Sequence, residues 1–357
     1  MTSGQLNKLY REIEMINTAK KDIKVVVTGA NGHLGTNIVG ALLERGYQVR
    51  ATVRDLSNDE KTKSLKAMGV DIVEADLLDK NSLIRAFKDQ DGVFQLAAGY
   101  KMHTGNPELD IRKPAIDGTI NVLEAANECN IKKIIYTSSV ATIGSSMNGQ
   151  KKNEENWNDN AAEFYAKSKT DAEKILWQKA KELSLNVVSI LPGMIIGPNF
   201  NQHTPSTYLF EKMLKEKVPM IMPIEFSLVD VRDVAIAHID AFENEASNGR
   251  YITAVEPLTM HKIIDIVAKV RPELKLPTKP VPSFLYPLLP FLDKMEALFT
   301  GSMRTITKGV VSEYLNGSVQ DFDTTKIRNE LNWKPRAIEQ SIADTLAWIE
   351  NNNISLG

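Results

Sequence analysis

The sequence contains two tyrosine–lysine pairs with a spacing that suits proton transfer. Tyr165 stands four residues before Lys169, and Tyr208 stands four residues before Lys212. On a helix, such residues share one face with about 5–6 Å between their Cβ atoms. The lysine ammonium favours tyrosinate, which lowers the pKa of the phenol from about 10 and lets it exchange a proton with a carbinol oxygen. Because about one such spacing is expected by chance in this composition, the surroundings of each pair decide whether it is functional.

Only the first pair follows a strand that ends in serines. The segment "KKIIYTSS" closes with Ser138 and Ser139, and a helix is predicted around Tyr165 further along the chain. A serine hydroxyl at that strand end can hold a substrate oxygen while charge shifts on it. No serine-bearing strand end precedes Tyr208 at a suitable distance, so we interpret Tyr208 as a pocket wall or a core residue.

Three glycines near the N-terminus indicate a dinucleotide site. An apolar strand over residues 23–28 precedes Gly29, Gly32 and Gly35, and a helix with an apolar face and a second strand follow. Strand, glycine turn, helix and strand form the βαβ unit that binds dinucleotides. Glycine lets backbone N–H groups approach a pyrophosphate without an intervening Cβ, and the helix start offers free N–H donors.

The end of the second strand indicates which dinucleotide binds. An acid there binds the ribose 2′-OH of NAD, whereas a nearby arginine accommodates the 2′-phosphate of NADP. In "ATVRD", Val53 occupies the position of the acid, Arg54 follows it, and Lys61 lies seven residues further on. We therefore predict NADP(H) as the cofactor. The alternative is NAD(H), with Asp55 on the ribose hydroxyls and Arg54 in solvent at the strand end.

Strands and helices continue to alternate as far as residue 190, which predicts an α/β fold with a doubly wound parallel sheet of the Rossmann type. In such sheets ligands bind at the carboxyl ends of the strands. Asp76 and Leu77 end one strand, where they would flank an adenine. Ala97 and Ala98 end another, where small side chains let a cofactor lie flat against the sheet.

These motifs resemble the extended short-chain dehydrogenase/reductase family over nearly the whole chain from about residue 23. The similar segments are "TGANGHLG", "DL" at 76–77, "LAA" at 96–98, "GTINVLEAA", "YTSSVATIG", "YAKSK", "LPGMIIGP", "LVDVRDVAIAH" and "DTTKIRNELNWKPR". Within the family, "VRATVRD" and "KPAIDGT" look most like the branch of dihydroflavonol 4-reductase, cinnamoyl-CoA reductase and bacterial aldehyde or ketone reductases. Gln95 departs from the pattern, since many relatives carry histidine in that segment.

The resemblance implies a catalytic triad of Ser139, Tyr165 and Lys169, with Tyr165 as proton donor and Lys169 also on the nicotinamide ribose. It also implies that Arg54 and Lys61 contact the 2′-phosphate of NADP. The other residues expected at the cofactor lie in the similar segments: Gly29, Asn31, Gly32, His33, Leu34, Gly35, Asp76, Leu77, Ala97, Ala98, Pro192, Met194 and Ile195.

The alternation breaks up after Pro192, as expected for a smaller lobe over the active site. We predict an N-terminal extension at 1–22, an NADP-binding domain at 23–190 that resumes at about 226–242, and a substrate-binding lobe at 191–225 and 243–357. If methionines and aromatic residues line the cleft, the substrate has a bulky apolar portion. The candidate substrate contacts are Tyr100, Met102, Phe200, Tyr208 and Phe226, with ordinary core packing as the alternative for each.

Composition and spacing argue against several classes of partner. A net charge of −2 and a pI near 6.3 give no reason to expect nucleic acid or an anionic membrane. The histidine spacing and the single cysteine argue against a metal, and one cysteine fits the reducing cytoplasm. The apolar run 282–292 is too short to span a bilayer and is interrupted by prolines, so we expect a buried helix or a lid, with a membrane-facing patch as the third alternative. Monomer and homodimer both stay open.

The sequence favours an NADPH-dependent reductase of a small carbonyl compound, reversible as an alcohol dehydrogenase. The enzymatic alternatives are NAD-dependent alcohol oxidation like that of 3β-hydroxysteroid dehydrogenases and sugar-nucleotide epimerisation. Val140 and Ala141 follow Ser139 where sugar dehydratases of the family place an Asp-Glu pair, which argues against dehydration. A non-catalytic NADP sensor is the alternative from another class, although such relatives usually lose the tyrosine or the lysine.

Overall fold

A seven-stranded parallel sheet forms the centre of the computed structural model, which describes residues 20–97, 106–147, 149–352 and 354–356. The strand order is β10-β6-β5-β4-β1-β2-β3. These strands are β1 Lys24–Thr28, β2 Gln48–Val53, β3 Asp71–Glu74, β4 Gly92–Gln95, β5 Lys133–Thr137, β6 Val187–Pro192 and β10 Gly249–Thr253. The order reverses between β1 and β4, and ligands of such sheets bind at the crevice where it reverses. The predicted doubly wound fold is confirmed.

Helices cover both faces of the sheet because successive side chains of its buried strands are apolar and point to opposite faces. Val25 and Val27 of β1 pack in one core cluster, whereas Val26 between them packs in another on the opposite face. The α-helices are α1 His33–Glu44, α2 Asp59–Met68, α3 Lys80–Phe87, α4 Lys113–Glu128, α5 Phe164–Glu182, α6 Pro205–Leu214, α7 Val231–Glu243, α8 Met260–Val270, α9 Leu289–Thr300, α10 Lys308–Tyr314, α11 Thr325–Glu330 and α12 Ile338–Asn351. Helices α1 and α7 share the first cluster with Val25, and α3, α4 and α5 share the second with Val26.

A second, smaller body of structure follows β6. Its three-stranded sheet has the order β11-β9-β7, from strands Met194–Ile196 (β7), Glu225–Asp230 (β9) and Pro257–Thr259 (β11). Gln202–His203 (β8) pairs with Ser355–Leu356 (β12). Helices α6, α8 and α12 pack around Phe210, Ile264 and Leu346 to form the core of this lobe. Shorter helical turns lie at Glu108–Arg112, Val140–Thr142 and Ser283–Leu288.

The main sheet takes up more of the C-terminal half than the predicted division allows. Strand β10 lies within 243–357, yet it pairs in parallel with β6 at the edge of the main sheet. Ile327, Leu331 and Trp333 pack in the same core cluster as β1. Strand β9, assigned to the returning segment, belongs to the smaller sheet instead. The predicted boundary at residue 242 falls between helix α7 and strand β10, so it separates β10 from the helix that leads into the main sheet.

The apolar run 282–292 is not buried, contrary to one of the three expectations for it. Phe284 is 79% exposed and Phe291 57% exposed, and Leu288 and Leu292 are also exposed. No α-helix within the described residues has the length and apolar character needed to cross a bilayer. Cys129 is a free, partly exposed thiol on the described part of the chain, and the cytoplasmic location inferred from the cysteine count stays a prediction.

Candidate active site

The glycine turn between β1 and α1 is packed so tightly that larger residues do not fit. Gly29 has a φ of +64°, and a Cβ added to it would lie 2.9 Å from Cα of Ala97. A Cβ on Gly35 would lie 2.2 Å from the carbonyl oxygen of Gly29. Helix α1 begins after Gly32 without a side-chain cap and without an acid in its first turn. Its first N–H groups and its dipole are therefore open to an anion, which fits the pyrophosphate of a dinucleotide.

His33 joins this turn to the loop that follows β7. Its buried ring has Nε2 3.0 Å from the carbonyl oxygen of Pro198 and lies 4.9 Å from the ring of Phe200, between centroids. Burial lowers the pKa of His33 to about 4, so the ring is neutral at physiological pH. Phe200 is itself buried and also contacts Trp348. Both side chains pack the turn from behind, whereas Asn31 and Leu34 are partly exposed.

Gln95 fixes the loop that closes the cofactor crevice. Its Oε1 accepts a hydrogen bond from the Thr28 hydroxyl at 2.7 Å, and its Nε2 donates to the carbonyl of Ala97 at 2.7 Å. The backbone N–H groups of Leu96 and Ala97 donate to the same Thr28 hydroxyl. The buried amide thus supplies both a donor and an acceptor, and it holds Ala97 against Gly29 without the histidine of many relatives.

Two cationic residues and one hydrogen-bonded aspartate lie at the end of β2. Asp55 Oδ1 accepts hydrogen bonds from the backbone N–H and the hydroxyl of Ser57, which lower the pKa of Asp55. Arg54 and Lys61 are exposed, and neither has an ion-pair partner within the described ranges. An added anionic group would therefore find two exposed cations here, beside a carboxylate whose Oδ1 already accepts two hydrogen bonds from its own turn.

Asp76 and Leu77 lie at the end of β3, as predicted. Asp76 is exposed, and its Oδ1 accepts a hydrogen bond from the backbone N–H of Leu78 at 2.8 Å. The carbonyl of Leu77 accepts from Asn121 Nδ2 at 2.8 Å, and its side chain packs on Gly118 of α4. These contacts fix the Leu77 backbone beside the crevice between β1 and β4.

The structure brings Ser139, Tyr165 and Lys169 together at the carboxyl end of β5. Ser139 follows the strand, where its Oγ accepts a hydrogen bond from the N–H of Ala141. Tyr165 lies in the first turn of α5, which begins with the Glu163 side chain accepting from the N–H of Ala166. A hydrogen bond joins the Tyr165 and Ser139 side chains. Lys169 Nζ lies 6.0 Å from the centroid of the Tyr165 ring, one turn along the same face.

The ionisation of this group differs from the expectation. Burial raises the pKa of Tyr165 to about 12, and the hydrogen bond from Ser139 only partly opposes that rise. Burial also lowers the pKa of Lys169 to about 8, against the attraction of Glu173. The prediction that Lys169 lowers the pKa of Tyr165 is therefore wrong for this structure, because desolvation of the phenol outweighs a lysine placed beside its ring.

A small cavity connects the catalytic group with the cofactor crevice. Its walls come from β4, α4, α5 and the loop after β3. The residues that line it are Leu77, Gln95, Ala97, Ile111, Ala115, Thr119, Tyr136, Tyr165, Ser168, Lys169 and Ala172. Residues predicted at the cofactor, Leu77 and Ala97, thus share one space with Tyr165 and Lys169.

Sequence reasoning missed Glu173, which lies beneath the catalytic group. Its side chain is 0% exposed and accepts a hydrogen bond from the hydroxyl of Ser138 at 2.7 Å. Because it follows Lys169 by four residues, the spacing Tyr165–Lys169–Glu173 places all three on one face of α5. That continued spacing is the signal that would have revealed it. Glu173 is the carboxylate whose charge favours the ammonium form of Lys169.

Arg250 of β10 pairs with Glu173 in the interior. Its Nε lies 2.9 Å from Glu173 Oε1, and its Nη2 lies 3.2 Å from Oε2, so the pair is bidentate. Nη2 also donates to the hydroxyl of Thr142, and Nη1 donates to the carbonyls of Glu154 and Asn156. The guanidinium stacks 3.8 Å from the ring centroid of Trp157. The guanidinium thus has five hydrogen bonds and links α5 to the edge strand.

The second tyrosine–lysine pair has the same geometry in different surroundings. Lys212 Nζ also lies 6.0 Å from the Tyr208 ring centroid. However, Lys212 forms an ion pair with Glu296 at 2.9 Å, and the buried Tyr208 ring packs against His203. Neither side chain reaches the cavity that Tyr165 lines. The two pairs therefore share a spacing but differ in their surroundings, since only Tyr165 lies beside a serine-bearing strand end.

The remaining predicted residues fall into two groups. Pro192 ends β6, and Met194 and Ile195 begin β7, where both are partly exposed together with Phe226 of β9. Ala98, Tyr100 and Met102 lie outside the described residues. No group of three or more potential metal ligands occurs along the described part of the chain.

Comparison with known proteins agrees with this arrangement. Residues 25–253 match the model of the NAD dependent epimerase/dehydratase family. The bifunctional dihydroflavonol 4-reductase/flavanone 4-reductase of Malus domestica is 31% identical over 274 residues, 71% of this chain and 78% of the relative. Cinnamoyl-CoA reductase 1 of Petunia hybrida is 34% identical over 269 residues, 71% of this chain and 79% of the relative.

A solved structure shares the whole architecture. Gre2 of Candida albicans, in complex with NADPH, superposes with a TM-score of 0.72 and 27% identity, covering 92% of this chain and 99% of that chain. The family match spans more than half of the chain and includes the glycine turn and all three catalytic candidates. The chain therefore belongs to the NAD dependent epimerase/dehydratase family, as an NAD(P)-dependent oxidoreductase of the extended short-chain dehydrogenase/reductase type.

Proposed function

We propose that the protein is an NADPH-dependent reductase of a ketone or aldehyde with a bulky apolar portion. The observation that carries this proposal is that Tyr165 and Lys169 line one cavity with Ala97, while the Ser139 hydroxyl lies close enough to Tyr165 to favour its ionised form. When bound, NADPH supplies the hydride. The side chains then have to hold the carbonyl oxygen and deliver one proton to it.

The protonation of Tyr165 suits reduction. With a pKa near 12 the phenol carries its proton at neutral pH, so it can donate that proton to the developing alkoxide. Ser139 holds the same oxygen by hydrogen bonding, and the Lys169 ammonium stabilises the tyrosinate that forms. Alcohol oxidation would instead start from tyrosinate, which burial disfavours here.

Two exposed cations support NADPH over NADH. Arg54 and Lys61 lie at the end of β2 without ion-pair partners among the described residues, and Asp55 is bonded to Ser57. A 2′-phosphate would give both cations an anionic partner, whereas a 2′-OH would leave Arg54 and Lys61 without one. The relative from Candida albicans is also an NADPH complex.

Two observations support a substrate with an apolar portion: partly exposed apolar residues of the smaller lobe, and the substrates for which the relatives are named. Met194 and Phe226 lie on adjoining strands of the small sheet and keep part of their surface exposed beside the end of β6. Met222 packs against the same lobe core and is also only partly buried. The relatives are named as reductases of dihydroflavonols and cinnamoyl-CoA, which are aromatic compounds.

The test follows loss of reduced-nicotinamide absorbance with NADPH and NADH against aromatic aldehydes, ketones and keto-steroids. Tyr165→Phe is expected to lower kcat by about 10²–10⁴-fold while NADPH still binds. Tyr208→Phe removes the other phenol of the same spacing, and we expect any effect there in KM and not in kcat. Equal loss of kcat in both variants, or turnover that survives Tyr165→Phe, would contradict the assignment.

Arg54→Ala tests the cofactor. The Kd for NADPH is expected to rise about tenfold while that for NADH stays unchanged, because one charge-assisted contact to the 2′-phosphate is lost. NADH binding tighter than NADPH in the unmodified enzyme would instead favour the oxidative alternative. Tight cofactor binding without turnover of any carbonyl would favour the epimerase or the sensor.

A further inference from the structure

The smaller lobe carries a helical segment whose large apolar side chains face solvent. We call residues 283–300 the apolar arm; it consists of the turn Ser283–Leu288 and helix α9, Leu289–Thr300. Its exposed side chains are between 44% and 79% accessible: Phe284, Leu288, Phe291, Leu292, Leu298 and Phe299. Soluble proteins rarely expose so many neighbouring large apolar residues, and such patches mark interaction sites.

The arm is attached to the protein by its polar side. Asp293 is buried, and its carboxylate accepts hydrogen bonds from the backbone N–H groups of Thr305 at 3.0 Å and Ile306 at 3.2 Å and from Arg304 Nε at 3.1 Å. Pro290 is buried on the same side. Residues 291, 292, 298 and 299 recur at helical spacing on the other side. The helix therefore has the amphipathic pattern of a surface helix turned outward.

Lysines without ion-pair partners occur in the arm and in two segments that adjoin its N-terminal end. Lys294 projects from the arm itself, and Lys217, Lys275 and Lys279 lie on two neighbouring segments, all exposed and unpaired among the described residues. Those segments are adjacent because the N–H of Ile221 donates to the carbonyl of Lys279, and the N–H of Lys275 donates to Glu216.

Helix α6 leads directly into this basic region and is tied to the arm. Its Lys212 pairs with Glu296 of α9, and Lys215 near its end pairs with Glu211. Glu216 and Glu273 are the other carboxylates in the two neighbouring segments. Cations outnumber acids around the arm, so its border attracts anions.

We propose that the apolar arm lies in the headgroup region of a bilayer that contains anionic phospholipid. Its phenylalanines and leucines would enter the acyl boundary while the surrounding lysines contact lipid phosphates. With 12 residues, α9 is far shorter than the roughly 20 that a span requires. A symmetric contact between two copies would bury the apolar side chains but would give these lysines no anionic surface, since the border of the second copy is equally basic.

Vesicle flotation of the full chain tests this proposal. We expect the protein to float with vesicles of phosphatidylcholine and phosphatidylglycerol, and to bind less in high salt because the lysine–phosphate attraction is screened. Phe291→Ser/Phe299→Ser should weaken the partition coefficient by about tenfold or more, because two large apolar groups no longer leave water. Lys275→Glu/Lys279→Glu should abolish the preference for anionic over neutral vesicles.

Leu109→Ser is the matched control, since Leu109 is 57% exposed like Phe291 but lies before α4 in the main domain. It should float like the unmodified protein, and thermal melts establish that all variants are folded. Absence of flotation, or flotation that Phe291→Ser/Phe299→Ser leaves unchanged, overturns the proposal. So does self-association by light scattering that this double variant abolishes without any vesicle binding, because the arm would then serve a second copy.

Discussion

Helix α5 and the apolar arm depart from ordinary burial in opposite directions. Glu173 on α5 is 0% exposed although it is a carboxylate, whereas Phe299 on the arm is 79% exposed although it is a phenylalanine. Each helix also has a polar anchor: Arg250 pairs with Glu173, and Arg304 pairs with Asp293. In α5 the anchor lies under the catalytic group, while in the arm it lies opposite the exposed surface.

The comparison shows that a buried ion pair can position a helix either beneath a buried site or with its apolar side toward solvent. Under the active site, the pair holds α5 and β10 in register, so Tyr165 and Lys169 keep their position at the end of β5. Under the arm, the pair holds a helix by its polar side and leaves its apolar side free. Burial of apolar surface alone would not place a carboxylate such as Glu173 inside or leave phenylalanines of the arm outside. Both exceptions occur where we propose function.

The largest effect should come from breaking the pair beneath α5. Arg250→Met leaves Glu173 as an unpaired buried carboxylate, and we expect the free energy of unfolding to fall by about 3–5 kcal/mol. Urea denaturation followed by circular dichroism measures this. The control is Arg271→Met, which breaks a bidentate pair with Glu350 at the surface and should cost about 1 kcal/mol or less. Similar losses in both variants would show that burial does not set the strength of the Arg250 pair.

The coupling between Glu173 and Lys169 should appear in the pH dependence of turnover. Glu173→Gln removes the carboxylate that favours the Lys169 ammonium, so the pKa of Lys169 should fall below its present value of about 8. The alkaline limb of the kcat profile should then move to lower pH by about one unit or less. A profile that does not move, with a lower kcat at every pH, would assign Glu173 a purely structural role.

Lys169→Met should separate stability from activity. The folded-state pKa of Lys169, about 8, lies below its ordinary value of 10.5, so the unfolded chain binds the proton more tightly between those values. The buried charge therefore costs stability in full below pH 8, and that cost declines as the pH rises from 8 to 10.5. We expect the variant to lose turnover yet to gain about 1 kcal/mol at pH 7. Denaturation at pH 7 and pH 9.5 should show the gain shrinking, and a loss of stability at pH 7 would contradict this account.

The sequence predicted the strands and the glycine turn of the main sheet well because their signals are local. The run Val25–Val27, the tight glycine turn and the serines after β5 lie within short segments, and each has one physical interpretation. The catalytic spacing on α5 is equally local. Arg250 and Glu173 are 77 residues apart, and nothing in the segment around β10 indicates that its arginine lies under α5.

The pKa of Tyr165 and the exposure of the run 282–292 both depend on packing that the sequence does not reveal. Sequence reasoning assigned the pKa of Tyr165 from its neighbour Lys169, but the burial of both groups depends on how α4, α5 and the loop after β4 enclose them. A buried helix was one of the expectations for the apolar run 282–292, and the exposure of its side chains contradicts it. Asp293, a polar residue just beyond that run, is hydrogen-bonded to the protein and so orients helix α9 with its apolar side outward.

The smallest effect should be seen in the arm, and it would sharpen the comparison most. Phe299→Ser replaces a side chain that already contacts water, so the free energy of unfolding should change by no more than about 0.5 kcal/mol. Phe210→Ala, in the same lobe, removes a ring that is fully buried and should cost about 3–5 kcal/mol. If Phe299→Ser also costs several kcal/mol in dilute solution, its ring is covered within the protein or by a second copy, and the arm loses its distinction from an ordinary core helix. If the free energy of unfolding hardly changes while vesicle binding is lost, Phe299 contributes to membrane binding and not to the stability of the fold.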